Sequence, residues 1–355
     1  MSTVLVVGAS GVIGDAAVMR FAAAPGWSVI ALSRRKPFGA ARHFALDLAD
    51  ESACRAACEE LKTVTHVVYA ALAEKPGLVE GWRDPGQMDL NLRMLRNLLE
   101  PLSRAASGLS HVTLLQGAKA YGGHVAHLAP MPARENAPRD PHENFYWLQE
   151  DCLRDLARAA GFAWTIFRPA IVVGAAWGAA MNPLLPLGAY AALRREEGRP
   201  FSYPGGPAKI TEIVSADLLA EAFEWAAAHP AAWNETFNIT NGDLFAWTDA
   251  WPAIADALGM ELGPDEPMSL VDYFAQRGEA WDRIVRRGGL EPLALPRFLG
   301  ESHHYLDLLL RGGVSARPTL LSTIKLRQAG FGACRDSEES VRRWIAELQA
   351  RRLIP

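Results

Sequence analysis

VVGASGVIGDAA, residues 6–17, sets Gly8, Gly11 and Gly14 between a run of aliphatic residues and a helix-patterned segment. Glycine permits a tight turn and a close backbone approach, and the helix that follows presents its positive end to a phosphate. The spacing is G-x-x-G-x-x-G, one residue longer than the usual dinucleotide fingerprint. Its weight comes from its place at the first strand–helix junction. The stretch reads as a pyrophosphate-binding loop, with Gly8, Ser10, Gly11, Val12, Ile13 and Gly14 as candidate cofactor-binding residues.

The surrounding chain supports a sheet-and-helix reading. Strand patterns fall at 4–7, 28–32, 43–46, 66–70, 112–115 and 163–167, and helix patterns at 12–23, 51–61, 88–106 and 145–160. Strands alternating with helices predict a parallel sheet covered on both faces. Beyond residue 174 the alternation weakens, Pro183, Pro186, Pro204 and Pro207 punctuate the chain, and helical runs dominate to 338–352. A strand pattern at 236–239 interrupts them. The expectation is an α/β protein: a doubly wound parallel sheet over 1–174, then a smaller, mostly helical lobe over 175–355 that caps one end. Segments around 201–242 are candidates to return to the first lobe.

Bulk properties exclude several classes. With 355 residues, half of them hydrophobic, the chain can bury a large core. A net charge of −4 speaks against nucleic acid as a partner. No apolar run reaches the roughly 18 residues of a membrane span, and no basic segment precedes the first strand, so a cytoplasmic protein is expected. The four cysteines do not suggest a disulfide framework, and Cys54 and Cys58 share a helix face suited to packing. His124 and His127, like His303 and His304, lack the further ligands of a zinc site, so no metal is expected.

The second strand ends in ALSRRK, residues 31–36, without the carboxylate that holds a ribose 2′-hydroxyl. Ser33, Arg34 and Arg35 instead offer a hydroxyl and two guanidinium forks suited to a 2′-phosphate, which points to NADP(H). Asp47 and Leu48 follow the third strand, where a carboxylate could accept from the adenine amino group. Ala70 and Ala71, after the fourth, are small enough for a dinucleotide to lie against them.

Two further segments narrow the chemistry. LLQGAKAYGG (114–123) follows the fifth strand, and NFYWLQED (144–151) opens the next helix. Together with the glycine loop, NLRMLRNLLE (91–100) and RPAIVVG (168–174), they resemble the extended short-chain dehydrogenase/reductases. Most of that family uses a Ser/Thr–Tyr–Lys triad, whereas this chain has Gly117 at the first position and Glu150 at the third. The G-x-K-x-Y and N-F-Y-x-x-x-E-D segments match one branch, the progesterone 5β-reductase/iridoid synthase-like enone reductases. FNITNGDLFAW (237–247) and the ending RLIP are also similar, and Ala120 departs from a frequent histidine.

The resemblance implies a Rossmann-type fold and an NADPH-dependent reductase of activated C=C bonds acting on a small-molecule enone. Lys119 and Tyr146 would carry the chemistry. Glu150, one turn beyond Tyr146, is expected to pair with Arg154 rather than to react. Gln116, Tyr146, Pro169 and Ile171 are candidate residues beside the cofactor, and Trp177, Ala180 and Met181 beside the substrate. The alternatives are an NADP-dependent carbonyl reductase, a sugar-nucleotide epimerase or dehydratase, and a non-catalytic NADP(H)-sensing protein. In similar enzymes the helices at 88–106 and 145–160 pair across a homodimer, and the sequence does not decide the oligomeric state.

Overall fold

The structure is a computed structural model that describes every residue except 40, 77, 79, 123–129, 140 and 312–318. His124 and His127 lie outside the described residues. The strands are β1 (Ser2–Val7), β2 (Trp27–Leu32), β3 (Arg42–Phe44), β4 (His66–Tyr69), β5 (His111–Leu115), β6 (Ala163–Pro169), β7 (Ile171–Val173), β8 (Ile210–Thr211), β9 (Ile213–Ser215), β10 (Glu235–Ile239) and β11 (Phe245–Ala246). The helices of the first half are α1 (Val12–Ala23), α2 (Glu51–Cys58), α3 (Pro85–Ala105) and α4 (Phe145–Ala160). Those that follow are α5 (Leu184–Glu196), α6 (Ala216–Ala228), α7 (Trp247–Ala257), α8 (Leu270–Ala275), α9 (Gly278–Gly288), α10 (Leu295–Leu299), α11 (Ser302–Arg311), α12 (Ile324–Gln328) and α13 (Ser337–Ala350).

Seven strands form one sheet in the order β10-β6-β5-β4-β1-β2-β3. Every pairing within it is parallel. Val4 to Val7 are fully buried because helices cover both faces: α2, α3 and α4 on one side, α1, α6 and α12 on the other. The chain winds outward from β1 to β3, then returns to β4 on the other side of β1. That reversal opens a crevice at the carboxyl ends of β1 and β4, the usual ligand position in such a sheet.

The strand pattern at 236–239 falls in the segment named above as a candidate to return to the first lobe. It is β10, the edge strand beside β6, with Phe237 paired to Phe167 in register. Phe237 and Ile239 are buried against Phe167 and Phe223, which rewards the return. Helix α3 starts three residues before the sequence pattern suggests, because Asp84 caps it by accepting from the Gln87 amide at 2.7 Å and Pro85 opens its first turn. Cys54 and Cys58 are buried packing residues, and burial pushes their thiols up to about 12 and about 11.

The remaining helices α5, α7, α8, α9, α10, α11 and α13 share a second core around Trp251, Trp281 and Phe298. A buried ion pair ties it to the sheet: Arg351, just past α13, places Nη1 2.6 Å from the Asp15 carboxylate of α1 and donates to the Ala175 carbonyl at 2.8 Å. No described helix is long and apolar enough to cross a membrane. Breaking a buried pair from one side leaves an uncompensated charge, so Arg351→Met should lower the unfolding free energy by about 3–5 kcal/mol. An unchanged urea midpoint would remove this tie from the account of the fold.

Candidate active site

A cleft of about 720 Å³ opens at the carboxyl ends of the central strands. Its head is built from backbone. Gly8 has φ +78°, and a Cβ there would lie 2.7 Å from the Ala71 nitrogen and 2.8 Å from the Ala70 carbonyl carbon. A Cβ at Gly14 would run into the Gly8 carbonyl. Gly14 therefore seats α1 on the turn and, alone among the sequence-predicted site residues, does not line the cleft.

The cap of α1 is Gly11, which offers no side-chain bond, so the first-turn amides of Val12 and Ile13 stay open to the cleft. The Asp15 carboxylate in that turn is engaged by the Phe38 amide at 3.0 Å and by Arg351. An uncapped helix start with its own acid turned elsewhere fits a dinucleotide pyrophosphate.

On the wall after β2, Ser33 Oγ donates to the Arg35 carbonyl at 2.5 Å. Arg35 Nη2 donates to the carbonyls of Ser10 (2.8 Å) and Trp177 (2.9 Å), and its guanidinium carbon lies 3.5 Å over the Trp177 ring. Burial, with Arg297 and Arg34 nearby, pushes Arg35 down to about 10. Arg34 is exposed at the same wall and makes no ion pair among the described residues. Arg34 thus keeps its whole fork open, whereas Arg35 has one nitrogen engaged. Asp47 accepts from the Ala49 amide at 3.0 Å, and Leu48, Ala70, Ala71 and Ile171 complete this end.

At the other end, the turn 118–121 after β5 carries Lys119, and α4 begins with Tyr146 in its first turn, capped by Asn144. The Tyr146 hydroxyl makes no hydrogen bond among the described residues, and a Cβ on Gly117 would stand 3.1 Å from it. Burial, with Glu74 and Tyr305 nearby, holds the phenol well above its ordinary value, while Arg168 pulls weakly the other way. The Lys119 ammonium lies 3.6 Å from the Glu74 carboxylate, 3.6 Å from the Trp82 ring centre and 3.3 Å from Met181 Sδ. Burial pushes it down to about 8, against the pull of Glu74.

Glu150 is 3% exposed beneath Tyr146. Its Oε1 lies 2.6 Å from Arg154 and 3.2 Å from Arg139; its Oε2 accepts from Gln116 at 3.0 Å and lies 3.6 Å from Arg168. Gln116 Nε2 also donates to the Tyr146 carbonyl (3.2 Å), and Arg168 Nε donates to Gln116 Oε1 (2.8 Å).

Residues 4–240 match the profile of the NAD dependent epimerase/dehydratase family. The chain belongs to that family. An (S)-8-oxocitronellyl enol synthase of Antirrhinum majus is 32% identical over 100% of this chain and 93% of its own length. A 3-oxo-Delta(4,5)-steroid 5-beta-reductase of Arabidopsis thaliana is 30% identical, with the same coverage. In three dimensions, a UDP-glucose 4-epimerase of Thermotoga maritima superposes with a TM-score of 0.67 at 18% identity, covering 98% of this chain and 99% of its own. At that identity the likeness is one of fold.

Against the family's usual triad, Gly117 leaves space beside the phenol and Glu150 stands where a lysine would follow Tyr146. The cations Arg139, Arg154 and Arg168 gather behind that carboxylate rather than in the cleft. The pairing of Glu150 with Arg154 expected from their spacing is present. The Gln116 amide is spent on Glu150, Arg168 and the Tyr146 carbonyl, so only its backbone is left for a cofactor. Trp177 lies under Arg35 at the cofactor end, whereas Met181 reaches Lys119, and Ala180 and Pro169 line the cleft.

Sequence reading missed Glu74, Trp82 and Tyr305. The first two lie in a segment without periodicity, and the third comes from α11. Their only sequence signal is polarity or an aromatic ring outside an amphipathic pattern. Because three arginines converge on Glu150, Glu150→Lys would place like charges together in a buried site. It should lower the unfolding free energy by about 3–5 kcal/mol, read by urea denaturation. A Glu150→Lys protein as stable as its parent would contradict the network.

Proposed function

We propose that this chain is an NADPH-dependent reductase that adds hydride to the β-carbon of an enone. The observation that carries the reading is the Tyr146 hydroxyl: buried, unpaired among the described residues, and opening on the cleft that Lys119 also lines. The names of the relatives, a steroid 5-beta-reductase and enol synthases, agree with it.

The cofactor would be held by the first-turn amides of α1, by Arg34 at its 2′-phosphate, by Asp47, and by Ala70, Ala71, Pro169 and Ile171 along its length. When bound, the reduced nicotinamide supplies the hydride. Negative charge then gathers on the carbonyl oxygen of the substrate, and donors aimed at that oxygen lower the barrier. Tyr146 serves as a neutral donor, since its phenol is held above the ordinary value of about 10. Lys119 adds charge. At about 4 Å and an effective dielectric near 20, an ammonium and a full negative charge attract by roughly 4 kcal/mol.

A carbonyl reductase run in reverse, or an epimerase, needs the tyrosine to take a proton from a hydroxyl. A phenol held protonated by burial, with Glu74 nearby, has little phenolate to take that proton, which disfavours the epimerase; a carbonyl reductase working forward needs the same donor and is told apart by its product. A cofactor-sensing protein has no use for two donors at the reacting end.

Loss of one oxyanion donor costs about 10²–10³ in rate. Tyr146→Phe and Lys119→Met should each lose that much turnover of a simple enone, with NADPH affinity changed only a few-fold; undiminished rates in both would refute the site. The expected product is the saturated carbonyl compound, and an allylic alcohol would point to the carbonyl-reductase alternative. With Lys119 at about 8, turnover should be flat at lower pH and fall as pH rises through about 8, where the ammonium is lost. Arg34→Ala should weaken NADPH by about tenfold or more and leave NADH unaffected, as measured by fluorescence titration. Equal losses for both cofactors would take the 2′-phosphate away from Arg34.

A further inference from the structure

Lys119 is held in a cage that belongs to no motif. The segment after β4 swings Glu74 into the cleft, where the side chain is 5% exposed. Gln87, in the first turn of α3 and fully buried, donates its Nε2 to Glu74 Oε2 at 3.0 Å, while its own Oε1 accepts from the Lys75 amide at 2.7 Å. Trp82 Nε1 reaches Glu74 Oε1 at 3.4 Å and turns its ring face to the ammonium at 3.6 Å. Asn91 pins the same segment by exchanging two bonds of 2.9 Å with the Ala73 backbone. The carboxylate is therefore held by two donors on a pinned backbone.

We propose that Glu74 is a positioning residue: its carboxylate keeps the proton on the Lys119 ammonium and holds that group at the cleft wall. The inference rests on the reductase reading and adds to it the group that makes the lysine usable. An ammonium has three N–H bonds. Glu74, Met181 Sδ and the Trp82 ring face stand around the group and hold it at the cleft wall. The other titratable groups lining this space are Tyr146 from α4, Tyr305 from α11 and Glu301 just before it; Arg168 stands behind Tyr146. Among the described residues Glu74 stands at 3.6 Å as the anionic partner of Lys119.

The test titrates the amine itself. Lysines of the cofactor-free protein are labelled by reductive methylation, and the Lys119 resonance is identified by its loss in Lys119→Met. An opposite charge this close shifts a titration by about one pH unit or more. Glu74→Gln, which keeps the shape and the bond from Gln87, should move the midpoint toward acid by about that much, and Glu74→Asp, which keeps the charge, should hold it near the parent value. With cyclohexenone and NADPH, the basic limb of kcat/KM should move with the midpoint. Glu74→Gln would then be about tenfold slower than the parent near pH 8.5 and within about twofold near pH 6. A midpoint unmoved in Glu74→Gln, or moved equally in both variants, overturns the proposal. If the midpoint moves while Lys119→Met turns over normally, the pairing stands and the part of Lys119 in the reaction falls; if the parent turns over no enone at all, the reductase reading falls and the pairing still stands. If Lys119→Met is inactive and the midpoint is fixed, only the role of Glu74 is lost.

Discussion

At the head of the cleft three stretches of backbone meet with no side chain between them. Gly8 leaves β1 with a positive φ, its missing Cβ would fall on the Ala70–Ala71 peptide beyond β4, and Gly14 closes the first turn of α1 against the Gly8 carbonyl. These contacts fix the distance between the two strands at which the chain reverses direction, and they aim the open amides of α1 along the crevice. Every other part of the site is placed relative to them. Lys119 and Tyr146 come from the next loops along the same sheet edge, and Met181 and Tyr305 come from segments that lie over it.

Around Tyr146 the charges have been exchanged relative to the usual arrangement of the family. The carboxylate of Glu150 occupies the helix position one turn on, and the buried arginine Arg168, with Arg139 and Arg154, satisfies it from behind. The ammonium has moved to the loop after β5 and has acquired a carboxylate of its own in Glu74. Each buried charge has a partner, as burial in a low dielectric demands. Burial, with Glu74 nearby, leaves the phenol protonated and ready to give a hydrogen bond.

How much of this was legible depended on whether the signal was local. The glycine loop, the alternation of strands and helices, and the Asn144 cap ahead of Tyr146 are written in consecutive residues, and the cleft that joins Lys119 to Tyr146 follows from strand order. The strand at 236–239 was legible, with 201–242 a candidate to return, but its place beside β6 depends on Phe237 meeting Phe167 and Phe223. Arg35 read as a phosphate ligand because its side chain suits one, but two backbone carbonyls and a tryptophan face compete for it. Glu74 was invisible for the same reason in reverse. A lone acid in an irregular loop says nothing until the fold brings an ammonium to it.

That ammonium faces a conflict which the site resolves by compromise. Left alone in the cleft, a lysine loses its proton as burial deepens, and an amine without its proton cannot answer negative charge on a substrate oxygen. A carboxylate restores the proton but also repels that developing charge. Gln87 and Trp82 anchor the Glu74 carboxylate beside the ammonium, so a substrate oxygen that closes on Lys119 has the cation as its nearer charge. A neutral carbonyl gains little from a pair that is nearly neutral overall, whereas an enolate oxygen gains from the nearer charge. Stabilisation is then concentrated on the state in which charge has formed, which is the condition for it to raise a rate rather than merely tighten binding.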